Sequence, residues 1–226
     1  MSSIKKFSVL ALTLAATSVF AGPVVSFTSF GSLPAANFGG AGIPNNAVAI
    51  TQLADSSTSG SITLGLTATP RFSSPAVTNN GAGTFQAVTG AFAAGDNLAR
   101  WSFNFFVGGS AFSDYTYKLF GDYSAAVGDA DTTYADISGY LTVPDSLLTA
   151  GTIQNSENLG FGTDFTQFNP NVVGQYGFIL AAYVNGVEKG RSAILVNVAE
   201  VPEPASLALV GVALLGMAGS MRRSRG

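Results

Sequence analysis

Residues 98–107 read LARWSFNFFV. Trp101, Phe103 and Phe105 take every second position, with Arg100, Ser102 and Asn104 between them. A period of two is the period of a strand, and it predicts one face on a core and one in water. Tyr115, Tyr117 and Leu119 alternate in the same way with Thr116 and Lys118. Further along, Tyr176, Phe178, Leu180, Ala182 and Val184 alternate until Asn185-Gly186, a strong two-residue turn signal; Ile194, Val196 and Val198 then resume the alternation. This predicts an antiparallel pair over 175–184 and 191–199, with Glu188, Lys189 and Gly190 lengthening the loop. Other strand candidates are 24–30, 48–53, 61–67, 84–91, 115–120 and 139–143. No stretch of the middle holds a helical period over three turns, although Pro144-Asp145 suits a short helix through residue 150. Residues 56–61 and 73–84 read as polar loops too short to divide the region. Many short strands with frequent turn signals predict an all-β domain over 22–200. The expected form is an antiparallel β-sandwich, of jelly-roll-like or immunoglobulin-like order.

Both ends break this pattern. Residues 1–21 place Lys5 and Lys6 before an apolar run and finish Val19-Phe20-Ala21. That is the layout of a signal peptide cleaved after Ala21. The other end reads VPEPASLALVGVALLGMAGSMRRSRG. Its uncharged stretch, 205–221, would reach roughly 25 Å as a helix, the short end of a bilayer span. Leucines and valines point all round such a helix, which suits lipid better than the edge of a globular core. Arg222, Arg223 and Arg225 follow and hold that end in the cytoplasm. Pro202 and Pro204 keep the preceding stretch extended. With positive charge inside at both ends, residues 22–200 belong outside.

A signal peptide, a β-rich middle, Val201-Pro202-Glu203-Pro204, an apolar stretch and an arginine cluster together resemble the PEP-CTERM proteins of Gram-negative bacteria. The same tail also goes under the name of an ice-binding protein's C-terminal domain. The resemblance implies that a membrane protease-transpeptidase, exosortase, recognises Pro-Glu-Pro and removes 201–226. It further implies transient anchoring in the inner membrane, then release to the cell surface or extracellular matrix, alongside exopolysaccharide. Signal peptidase and exosortase are the implied processing partners.

Composition narrows the chemistry of the middle. The chain has no cysteine and no histidine, so disulfides and the commonest metal ligand and general base are missing. Residues 22–200 carry five basic and twelve acidic side chains, a net charge of about −7. Such a surface repels nucleic acid and helps keep an exported protein soluble.

Three candidate chemistries remain. Asp129, Asp131 and Asp136 form the densest acidic stretch and are a calcium candidate, but Tyr134 and Tyr140 stand where an EF-hand needs Gly and Glu. A two-carboxylate glycosidase needs two carboxyls about 5–10 Å apart across a cleft; Asp114, Glu157 and Asp164 lie near aromatic residues, yet no spacing selects a pair. Trp101 with Tyr115, Tyr117, Tyr123, Tyr134, Tyr140, Tyr176 and Tyr183 could make a sugar-stacking face, but most are expected to be core or cross-strand partners. The outward Tyr and Asp of 112–136 are the expected place for it. Without a catalytic set, the expected role is non-enzymatic, structural or adhesive in an exopolysaccharide or biofilm matrix. No resident cofactor is expected. A carbohydrate-binding module is the main alternative.

Overall fold

The computed structural model describes residues 25–72, 75–122, 134–142, 151–161 and 168–200. The described chain is all β, with two short 3₁₀ turns at Phe112–Asp114 and Ser138–Leu141. One sheet has the strand order β1 (Ser29–Gly31), β2 (Val48–Ala54), β3 (Ser61–Pro70), β6 (Trp101–Gly108), β9 (Thr152–Glu157). The other has the order β4 (Thr78–Asn79), β5 (Thr84–Val88), β11 (Val187–Ala199), β10 (Gly174–Val184), β7 (Thr116–Gly121), β8 (Ala135–Asp136).

The inner faces of the two sheets share one core. Ile62, Leu64 and Leu66 from β3 and Phe103, Phe105 and Val107 from β6 meet Phe178, Leu180, Ile194 and Val196 from β10 and β11. Phe103 stacks on Phe178 with centroids 4.2 Å apart, and Trp101 lies 5.6 Å from Tyr176. On one side the sheets nearly join. Ser26 bridges Ala193 before the chain crosses to pair β1 with β2. The Thr51 hydroxyl donates to the Arg191 carbonyl (2.8 Å), and the Ser192 hydroxyl to the Ala49 carbonyl (2.6 Å). The expected single strand at 24–30 is therefore a crossing segment rather than one strand.

Asn185-Gly186 forms the expected turn, with φ of 51° and 77°, the left-handed pair of a type I′ hairpin. The loop is not lengthened. β11 begins at once at Val187, and Lys189 is accommodated as a bulge, Ala182 facing Gly190 and Tyr183 facing Glu188. The Lys189 ammonium then reaches Asp55, 2.9 Å away.

Other expectations need correction. The sandwich is not wholly antiparallel: β5 runs parallel to β11, from Thr84 opposite Leu195 to Val88 opposite Ala199. The strand expected at 139–143 is instead the turn Ser138–Leu141, because the Asp136 carboxylate captures the Ser138 N–H and hydroxyl and bends the chain there. The polar face of β6 is not in water. Ser102 and Asn104 are buried, and the Asn104 amide donates to the Thr69 hydroxyl at 3.0 Å.

The cover over part of that outer face is the segment 32–46. Leu33, Ala36 and Phe38 pack on Val48, Ile50 and Phe106, forming a second small core. Gly65 makes room for it: a Cβ there would stand 2.8 Å from the Leu33 side chain. The Gln154 side chain accepts from the Asn37 and Phe38 N–H groups (2.9 and 2.8 Å) and ties the segment to β9. Asn158, also fully buried, accepts from the Ala99 N–H and donates to the Ala99 and Trp101 carbonyls.

Phe178→Ala should lower unfolding stability by about 3–5 kcal/mol, because the stacked partner Phe103 loses its plate and a cavity opens. Val187→Ala, at a position 61% exposed, should change it by less than about 0.5 kcal/mol. Urea denaturation of both variants measures the difference; equal midpoints would contradict a core centred on this stack.

Candidate functional site

Several sequence candidates lie outside the described residues: Ala21, Val201, Pro202, Glu203, Pro204, Arg222, Arg223, Arg225, Asp129, Asp131, Asp164 and Tyr123. So do the helix expected at 205–221 and the one expected after Pro144-Asp145. Among the described residues, no helix is long and apolar enough to cross a membrane. Asp136, the described member of the calcium trio, accepts from Ser138 and pairs with Lys118 at 3.3 Å. The Ser138 hydroxyl and N–H, then Lys118, hold its carboxyl below the ordinary aspartate value. Among the described residues no group of three or more metal-ligating side chains comes together.

The carboxylate candidates are not brought together either. Asp114 lies past the end of β6, exposed, where it accepts from the Ser59 N–H and hydroxyl, both at 2.8 Å. Those bonds keep its carboxyl low. Glu157 faces Phe103, near the other end of the same strand, on the inner side of the sheet. It is only 9% exposed, and burial raises its pKa to about 7 against the pull of the Asn155 amide, 2.6 Å away.

The described tyrosines are mostly structural. Tyr115 and Tyr176 are buried with Trp101. Tyr117 stacks on Phe112 and gives its hydroxyl proton to the Phe112 carbonyl (2.8 Å), and the Tyr140 hydroxyl donates to the Phe161 carbonyl (2.9 Å). These last two hydroxyls have partners inside the fold, which lets their rings sit half-buried.

The exposed rings are phenylalanines instead. Phe72 is 72% and Phe92 41% exposed, with ring centroids 4.9 Å apart. The Arg71 guanidinium lies 5.1 Å from the Phe72 ring, 5.4 Å from Phe92 and 4.8 Å from Phe161. Contacts of this kind contribute about 0.5–2 kcal/mol each, depending on exposure. Phe72 has φ 61°, a left-handed conformation that a bulky residue adopts only under strain. Arg71 is held by its backbone, its N–H donating to the Arg100 carbonyl at 2.8 Å. The signal in the sequence was faint: Arg71 is the one charged residue between Asp55 and Asp96.

The comparisons bear on the tail. The model of the PEP-CTERM protein-sorting motif matches residues 200–223. The chain is a PEP-CTERM domain-containing protein. The match begins one residue before the expected Val201 and includes Pro202, Glu203, Pro204, Arg222 and Arg223, leaving Arg225 just beyond it. A PEP-CTERM tail marks an exported protein that exosortase, a membrane enzyme, processes. No curated protein and no solved structure matches the chain significantly. The PEP-CTERM match is confined to the tail, so what the β body does rests on its own residues.

The Glu157 carboxyl gives that body a pH signature. Its folded-state pKa is about 7 against an ordinary value of 4.5, so the protonated form favours folding. Stability is intact below about 4.5 and falls as pH rises through about 7. The chain has no histidine, so few other groups titrate in that window. In Glu157→Gln the charge cannot form. Its thermal midpoint should stay level from about pH 5 to about pH 8 while that of the wild type drops. Parallel curves would refute the assignment.

Proposed function

We propose that this PEP-CTERM protein is a non-catalytic component of the cell surface or extracellular matrix of a Gram-negative bacterium. Signal peptidase removes 1–21 after Ala21, the tail anchors the chain briefly, and exosortase releases the β-sandwich body into the matrix, where its role is structural or adhesive. The observation that carries this reading is the sorting motif directly behind the last strand. β11 ends at Ala199, whose carbonyl accepts from the Thr89 N–H at 2.8 Å, and only Glu200 and Val201 separate it from Pro202. Cutting at the motif would leave a finished body with no dangling segment. Two features of that body support a passive rather than a catalytic role: Asp114 and Glu157 stand near opposite ends of β6, and a net charge of about −7 suits a soluble exported protein.

Replacing Pro202, Glu203 and Pro204 together by alanine should hold the protein in the membrane fraction of its native host. The unaltered chain should appear at the surface or in the matrix. Immunoblots of the separated fractions read this out, and an unchanged distribution would contradict sorting by the motif.

A further inference from the structure

We infer that the cleft beside Arg71 binds a carboxylate-bearing sugar unit of an acidic polysaccharide. The cleft has a volume of about 280 Å³. That is near the small end of ligand sites and suits one sugar ring rather than an extended chain. Its floor carries three hydroxyls from three adjacent strands: Thr69 of β3, Ser102 of β6 and Ser156 of β9. One rim is formed by the 40–44 part of the segment over the outer face, the other by Arg71 and Phe72.

Each part of the lining selects a property of the occupant. The Thr69 hydroxyl is bonded within the fold to Asn104 and the Ser102 hydroxyl accepts from Asn158, so Ser102 and Ser156 are the floor hydroxyls left to donate to a ligand that carries acceptors. The exposed Phe72 ring offers an apolar plate to the C–H face of such a ring. Arg71 supplies the charge. Three of the other four cations of residues 22–200 are paired: Lys118 with Asp136, Lys189 with Asp55, and Arg191 with Glu188. Among the described residues Arg71 and its neighbour Arg100 have no carboxylate within salt-bridge reach. The Arg71 Nε is buried with no acceptor among the described residues. Three phenylalanine rings hold the guanidinium in place without giving Nε an acceptor, and a guanidinium fork matches a carboxylate two bonds at a time. In an acidic body, this is a local cationic spot beside an exposed aromatic ring. The left-handed backbone of Phe72 is consistent with a residue held out for contact at some cost. A second cavity, of about 480 Å³, shares Pro44, Thr69 and Pro70 with the first and gives room for neighbouring sugar units.

This site deepens the proposed matrix role and depends on it only for the polymer's presence. The test is isothermal titration of the full chain, held in detergent, with trigalacturonate, triglucuronate and trimannuronate, and with galactotriose as the neutral match. At least one uronate should bind, with galactotriose about tenfold weaker or worse. Arg71→Gln and Phe72→Ala should each weaken uronate binding by about tenfold or more at an unchanged thermal midpoint. Should Arg71→Gln fail to fold, the exposed Phe72→Ala decides. No binding of any uronate, equal affinity for galactotriose, or wild-type affinity in the variants would overturn the site. A protein that reaches the matrix yet binds no uronate removes this inference alone; one that binds but stays in the membrane fraction removes the delivery reading alone.

Discussion

The body is organised around the stacking of Phe103 on Phe178. A ring from the middle of each sheet lies flat against the other at 4.2 Å, and the core layer grows outward from that contact. Trp101 and Tyr176 extend it toward one end, with Phe168 edge-on to Tyr176. At Trp101 the β3–β6 ladder ends. Pro70 faces Trp101 across the β3–β6 ladder, so the next residues outward, Arg71 and Arg100, sit where the aromatic layer gives way to surface. The cationic spot and its exposed phenylalanines are thus a consequence of where the stacked core ends. With no cysteine in the chain, this burial and the hydrogen bonds of Asn104, Asn158 and Gln154 do the work that disulfides do in many exported domains.

What the sequence revealed depended on how local the signal was. The strand in 98–107 and the Asn185-Gly186 turn are carried by neighbouring residues, and both form, although the polar face of β6 is buried and the turn needs no longer loop. β9 was invisible because Thr-Ile-Gln-Asn-Ser-Glu shows no apolar period; it is an edge strand held by its ladder to β6. The parallel pairing of β5 with β11 joins residues more than a hundred positions apart, and no local pattern encodes it. β6 looked half-exposed because its polar residues alternate cleanly; the covering segment, 32–46, supplies few strand-like signals of its own.

Most of the described tyrosines are structural, as expected, and the physical reason is local. A tyrosine hydroxyl suggests contact with water, but carbonyls inside this fold accept from Tyr117 and Tyr140 and let the rings go in. Phenylalanine suggests burial, yet Phe72 is kept out by its backbone conformation and by Arg71 beneath it. The sorting motif was legible because its information is linear: Pro-Glu-Pro, an apolar stretch and arginines lie in sequence within the 200–223 match.

The molecule therefore divides into two kinds of information, an address written in its tail and an acidic body written in long-range contacts. The intact mass of the mature protein, recovered from the host's surface fraction, tests that division most directly. The account predicts a chain that starts after Ala21 and stops within 202–204. A mass that still includes Met1 or runs through to Gly226 would contradict it.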